Sequence, residues 1–232
     1  MKSINFTSQM ITSIFHETNI LDFHTHKMRH EKREDILEIV SIHLGQDREK
    51  KHFTVGLHPW WTESVVSPEQ KIALQDLLSN PYCLAMGEMG LDKLKGPTMS
   101  EQMYFLRSQL KIAEEMSKPV IIHCVRAFNQ LIEIKKEFPS IKKWCVHGYG
   151  RHSILAKQLI AQGFYLSLMP SIEDKYLDWF TCLPNNKLFL ETDSMPETDI
   201  QEIYHKVARL TGRSIEELQA QMNKNASDFF ER

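Results

Sequence analysis

Eight short apolar runs, most of them β-branched, recur along the chain, at residues 19–23, 36–42, 53–57, 83–86, 120–122, 144–146, 164–168 and 188–190. Between the later ones lie amphipathic stretches of helical period, at 68–78, 100–116, 127–138, 153–162 and 200–210. In the second of these, Met103, Leu106, Leu110 and Ala113 share one face. Strands alternating with helices build βαβ units, whose strands are parallel. Eight such strands predict an α/β fold of the (β/α)8 TIM-barrel type, with a doubly wound open sheet as the second choice. The 232 residues suit one barrel domain spanning 1–232, with residues 1–18 as an N-terminal extension. The spacing is uneven, so the crossovers after the first two strands are expected to be short. Residues 172–180 give a weak helical pattern. Ser100 is a good N-cap, and Ser214 with Glu217 forms a capping box ahead of Leu218 and Met222.

The first strand ends in Asp22-Phe23-His24-Thr25-His26. Side chains alternate across a strand, so His24 and His26 face the same way and can hold one cation. The same pattern returns elsewhere. The run at 83–86 leads into Gly87-Glu88, the run at 120–122 ends in His123, that at 144–146 in His147, and the last in Glu191-Thr192-Asp193. Each alone has a plain reading as a solvated strand end. Together they place four imidazoles and two carboxylates (His24, His26, Glu88, His123, His147, Asp193) at the C-terminal ends of strands, the rim where barrels carry their chemistry. Buried carboxylates need a partner, and a cation is the simplest one.

Six such donors exceed what one ion with an open position takes, so two divalent ions are expected, with Glu88 as the bridge between them. His24, His26 and Asp193 would hold one ion, and His123 with His147 the other. Zinc, manganese and magnesium are the candidates. The nitrogen-rich set suits zinc or manganese, and equally iron or nickel, better than an all-oxygen magnesium cage. Such ions lower the pKa of water and polarise a carbonyl or phosphoryl oxygen. The expected reaction is therefore hydrolysis, with Asp193 and Glu88 as catalytic carboxylates. Around them His58, before Pro59, can meet a phosphate or leaving group, Trp60 and Trp61 can stack a base, and Arg126 can hold a phosphate as a fork.

Composition narrows the partners. The net charge of −2 gives no global field for nucleic acid, so any polynucleotide would be held locally. The four cysteines are widely spaced, the pattern of reduced cytoplasmic thiols. The longest apolar runs are too short for a bilayer, and the N-terminal stretch makes a poor signal peptide. A cytoplasmic location is expected, with no membrane partner. Lys135, Lys136, Lys142 and Lys143 read as a solvated face.

The chain resembles the TatD family of metal-dependent deoxyribonucleases, among the amidohydrolase-like barrels. The resemblance is carried by Asp22-Phe23-His24-Thr25-His26, Val55-Gly56-Leu57-His58-Pro59, Gly87-Glu88-Met89-Gly90-Leu91-Asp92, Gln102, Gln109-Leu110, Lys118-Pro119-Val120-Ile121-Ile122-His123-Cys124, His147-Gly148, the stretch around Gly163 to Ser167, Glu191-Thr192-Asp193, Asn225 and Phe229. It runs from about residue 20 to the end. It implies a TIM barrel, a divalent metal centre at the same six residues, and DNA phosphodiester hydrolysis, often as a 3′-to-5′ exonuclease. The chain departs from the family where Lys27 and Met28 replace an expected aspartate, where Trp60 and Trp61 replace a histidine after His58-Pro59, and where an arginine stands one place late, as Arg126. All these positions surround the substrate. Two other readings share the metal ligands: a barrel hydrolase acting on a small amide, ester or phosphoester, and a metal-binding scaffold without turnover.

Overall fold

The computed structural model describes residues 13–16, 19–27, 33–46, 51–61, 65–168, 183–195 and 197–231. Most of the N-terminal extension, Met28, Cys182 and the 172–180 stretch lie outside them. Eight strands form one sheet in chain order: β1 (Ile20–Thr25), β2 (Ile36–Ile42), β3 (Phe53–Val55), β4 (Cys83–Asp92), β5 (Val120–Val125), β6 (Trp144–Tyr149), β7 (Phe164–Leu168) and β8 (Leu188–Leu190). The pairs β1–β2, β3–β4, β4–β5, β5–β6 and β7–β8 are parallel. A parallel bridge from Thr25 to Asp193 joins the end of the last strand to the first. The fold is the expected eight-stranded parallel α/β barrel.

Among the described residues six α-helices follow the later strands: α1 (Pro68–Leu78), α2 (Met99–Glu115), α3 (Phe128–Glu137), α4 (Ser153–Ala161), α5 (Ile200–Thr211) and α6 (Ile215–Phe230), with a 3-10 turn at Pro59–Trp61. Among the described residues no helix connects β1 to β2 or β2 to β3, as the short crossovers anticipate. Capping fixes several helix starts. Ser67 caps α1 through a reciprocal box with Gln70, and Ser214 caps α6 through one with Glu217. The cap of α2 is Thr98, not Ser100. Thr98 accepts from the backbone N–H of Glu101, whose side chain reaches back to the Thr98 N–H. Ser100 has no acid or amide three residues on, so it cannot close such a box.

By internal contacts the chain falls into two compact units, one over Ser41–Val146 and the other over Phe6–Val40 with His147–Glu231. The second is cored by aromatic rings. Phe23 stacks on Phe189 with centroids 3.8 Å apart, and Phe229 meets Phe23, Tyr165 and Phe189 edge-on at 5.0 to 5.8 Å. Such pairs add about 0.5–1.5 kcal/mol each beyond burial. Polar pins hold the helices to the strands. Asn225 Nδ2 donates to the carbonyls of Asn185 and Leu188 at 2.6 and 2.8 Å, and Asn223 Nδ2 to that of Asn19 at 2.7 Å. In the first unit Gln102 brackets Asp92, its Oε1 taking the Asp92 N–H at 2.7 Å and its Nε2 donating to the Asp92 carbonyl at 2.9 Å. Gln109 does the same for Leu57, at 2.8 and 2.9 Å.

Candidate metal centre

In the second unit the donors gather where β1 and β8 meet. The Asp193 N–H donates to the His24 carbonyl at 2.9 Å, and the His26 N–H to the Asp193 carbonyl at 3.1 Å. These two bonds fix Asp193 beside the His-x-His pair, in a left-handed conformation with φ +50°. His26 Nε2 lies 3.7 Å from Asp193 Oδ1. The His24 ring is buried and stacks on the His147 ring, centroids 4.1 Å apart. His147 Nδ1 is 3.4 Å from Glu191 Oε1, which also accepts the Gly148 N–H at 2.6 Å. Beneath them Asp22 is fully buried and accepts from Thr192. Burial pushes the Asp22 carboxyl up to about 7 against the pull of the Thr192 bonds, with the Glu191 and Glu38 carboxylates adding to the rise.

The first unit assembles a second group. Glu88 Oε1 is 2.9 Å from His123 Nδ1 and 3.1 Å from His58 Nε2. His123 Nε2 faces Asp92 Oδ2 at 3.2 Å. Asp92 Oδ2 takes the Trp60 indole N–H at 2.7 Å, and Oδ1 takes the backbone N–H of Leu94 at 2.7 Å. Burial alone would raise the Asp92 carboxyl, but the hydrogen bonds from Trp60, Leu94 and His123 outweigh it and hold it below the usual carboxylate range.

Within the units, His24, His26 and Asp193 form one set of candidate ligands, His147, Glu191 and Asp193 another, and His58, Glu88 and His123 a third; in each the ligand atoms lie within 4.8 Å of one another. Imidazole and carboxylate donors at this spacing fit a divalent cation. An orphaned oxygen supports the fit: Glu191 is fully buried, and its Oε2 has no hydrogen-bond partner among the described residues. A buried carboxylate oxygen without a donor is costly unless a cation compensates it.

Two carboxylates, Glu191 and Asp92, stand out beyond the sequence-level set, and His58, expected at the substrate, lies within the donor group. Glu191 lies two residues before Asp193, and strand alternation on Asp193 is the signal that points to it. Asp92 lies four residues after Glu88, on the same alternation, but Gly87 and Gly90 hide how far β4 continues. His58 sits directly on Glu88. Around the first unit's group, Trp60 is half-buried with its N–H committed to Asp92, while Trp61 is 66% exposed and Arg126 is exposed at the end of β5.

The family model described as TatD related DNase matches residues 8–231. The chain belongs to the TatD-related DNase family. A 3′-5′ ssDNA/RNA exonuclease TatD of Erwinia amylovora is 30% identical over 200 residues, covering 76% of this chain and 77% of that protein. An uncharacterized metal-dependent hydrolase of Methanocaldococcus jannaschii is 26% identical over 227 residues, covering 87% of this chain and 88% of its own. The crystal structure of the Escherichia coli TatD homologue YjjV superposes with a TM-score of 0.72 at 20% identity, over 90% of this chain and 97% of that one. Its fold, and that of a TatD family hydrolase of Entamoeba histolytica with a TM-score of 0.73 at 14% identity over 93% and 99% of the two chains, is the barrel found here. The chain is thus a TatD-family metal-dependent hydrolase. No helix among the described residues is long and apolar enough to cross a membrane.

Proposed function

We propose that this TatD-family hydrolase is a cytoplasmic nuclease that cleaves phosphodiester bonds in single-stranded polynucleotides, DNA foremost, from the 3′ end. The observation that carries the proposal is the set of buried and half-buried histidine–carboxylate groups, each with its ligand atoms within 4.8 Å of one another. Two divalent cations are proposed, zinc, manganese or magnesium. His24, His26 and Asp193 are donors to one, and Glu88 and His123 donors to the other. Bound cations supply Lewis-acid polarisation of a phosphoryl oxygen and a lowered water pKa.

The chain's own residues do the rest. Asp193, pinned by its two backbone bonds to β1, presents a carboxylate that accepts the proton of the attacking water. Glu88 is aimed by the imidazoles beside it, its Oε1 standing 3.1 Å from His58 Nε2 and 2.9 Å from His123 Nδ1. Arg126, at the rim, meets a phosphate as a charged fork.

The test is an assay of metal-reconstituted protein on single-stranded DNA and RNA labelled at either end, beside a panel of small phosphoesters, esters and amides. Stepwise release from the 3′ end, lost on chelation and restored by a divalent ion, is the expected result. Untouched polynucleotides with turnover of a small substrate would overturn the nuclease reading and leave the family intact. No turnover on any substrate by protein that still binds metal would favour a scaffold.

A further inference from the structure

The loop after β4 is exposed in its side chains and fixed in its main chain. The Lys93 N–H donates to the Val125 carbonyl at 3.0 Å, one bond past the last pair of the β4–β5 ladder. Asp92 Oδ1 accepts the N–H groups of Leu94 at 2.7 Å and Lys95 at 3.2 Å. From the other side the buried Gln102 amide donates to the carbonyls of Lys95 at 3.1 Å and Pro97 at 2.8 Å. Gly96, at φ +86°, lies so close to the turn at Pro59–Trp61 that a Cβ there would stand 2.6 Å from the Pro59 carbonyl oxygen. On this fixed frame Lys93, Leu94 and Lys95 all face solvent. We propose that Lys93 and Lys95, with Arg126 beside them, form a phosphate track that holds the backbone of a single-stranded polynucleotide next to the Glu88–His123 group. The track rests on the polynucleotide reading above and names the residues that hold the strand.

Charge placement carries the argument. Asp92 pairs with Val125 at the end of the ladder, so Lys93 and Arg126, the next residue of each strand, leave it side by side. Like charges at neighbouring places on two strands repel. Among the described residues no carboxylate pairs with Lys93, Lys95 or Arg126. Surface cations elsewhere in the unit do find acids: Lys71 lies 3.1 Å from Glu115, Arg107 2.6 Å from Glu137 and Lys136 2.7 Å from Glu133. Three unpaired cations on a held rim are a cost without an anion. With a net charge of −2 over the whole chain, attraction for a polyanion has to come from such a local cluster.

Trp60 aims the cluster at the site. The Lys95 ammonium rests over the Trp60 ring, 4.0 Å from its centroid, and that ring lies 4.7 Å from the His58 ring and 5.9 Å from the His123 ring. An aromatic face holds an ammonium in place without neutralising it. The charge therefore stands one ring away from the two histidines beside Glu88. Trp61 adjoins Trp60 on a further side, centroids 6.0 Å apart, and its exposed ring is open to a base. Cations along the backbone and an aromatic for a base are the two parts of a single-strand groove. Trp60 thus fills the place of an expected histidine as the platform under Lys95, and its half-buried ring is not the base-stacking surface. Phosphate contacts carry no sequence information, so the track holds any sequence.

The experiment is an anisotropy titration of fluorescent octathymidylate at several salt concentrations, with a chelator present so that nothing is cleaved. It compares wild type with Lys93→Gln, Lys95→Gln, Lys95→Arg, the triple variant Lys93→Gln/Lys95→Gln/Arg126→Gln, and Lys136→Gln. Each lost contact should lower the slope of log affinity against log salt by about 0.7 and weaken binding roughly fivefold near 0.1 M salt. The triple variant should lower the slope by about 2. Lys95→Arg keeps the charge and should keep the slope. Lys136→Gln removes the same charge at the far end of α3 and should match wild type. Octauridylate should show the same losses as octathymidylate, since the contacts are to phosphate. Wild-type slopes in Lys93→Gln and Lys95→Gln would overturn the inference, as would an equal loss in Lys136→Gln, which would mark a diffuse charge effect. Wild type that binds the strand but, once loaded with a divalent ion, does not cleave it would overturn the nuclease reading and leave the track standing. Wild type that does not bind it at all would overturn both.

Discussion

Thr192 grips the carboxylate of Asp22 twice, its backbone N–H 2.9 Å from Oδ1 and its hydroxyl 2.6 Å from Oδ2. Both residues are completely buried, and the hydroxyl also meets that of Thr25 at 3.0 Å. This ties the floor of β8 to that of β1 directly below His24 and Asp193. Thr192→Val keeps the volume and removes the hydroxyl. A buried carboxylate oxygen then loses its donor, a deletion that costs about 1–3 kcal/mol. The denaturant midpoint of the metal-free protein should fall accordingly with an unchanged m-value; an unaltered midpoint would mean that the backbone N–H alone suffices.

Gly90 is a packing requirement of the centre. A methyl group there would overlap the carbonyl oxygen of His123, and Gly90 pairs with His123 across the β4–β5 ladder. Neither backbone can retreat without moving Glu88 or His123. Gly90→Ala should therefore destabilise by about 3 kcal/mol or more, at the upper end of overpacking effects. Thermal unfolding measures this, and soluble protein with a wild-type midpoint would contradict the geometry.

The strands and their order were readable because fully buried parallel strands show as plain apolar runs, and β2, β7 and β8 have the bounds that their runs suggest. β4 was not readable to its end. It continues to Asp92, six residues past its apolar run, through Glu88 and two glycines, with a register shift against β5 between Met86 and Met89. The apolar run that marks the strand ends at Met86, where the register shifts, so nothing in the run itself extends the strand to Asp92. The same limit hid the role of Trp60: sequence shows an aromatic pair, but only geometry distinguishes the ring whose N–H is committed from the one left open. His-x-His and the closing Glu-Thr-Asp were legible because ligands two residues apart keep a strand's period.

Trp61 is the ring that remains available. It is 66% exposed and lies 5.2 Å, centroid to centroid, from both His43 and His58. Stacking a base on an exposed aromatic is worth about 1–3 kcal/mol. Trp61→Ala should raise KM for a single-stranded substrate roughly tenfold, with kcat, zinc affinity and thermal midpoint close to wild type, the pattern of lost uniform binding. Hydrolysis of a small phosphodiester without a base should be unaffected. Equal KM values for wild type and variant on DNA would remove Trp61 from the substrate path.

Glu191 invites a sharper test because its two oxygens are so unequal. Oε1 accepts from Gly148 at 2.6 Å, while Oε2 has no hydrogen-bond partner among the described residues, in a side chain that is 0% exposed. Asp193 and His147 offer ligand atoms within 4.8 Å. Without a cation such an oxygen strains the fold; with one it becomes a ligand or a close counter-charge. Glu191→Gln retains an acceptor for Gly148 and replaces the second oxygen by an amide. The metal-free variant should then be at least as stable as wild type, while the rise in thermal midpoint on adding zinc shrinks and the affinity falls about tenfold or more. A structural ion-pair role predicts the reverse, a metal-free protein that is weaker and a zinc response that is preserved, so the sign of the metal-free shift separates the two.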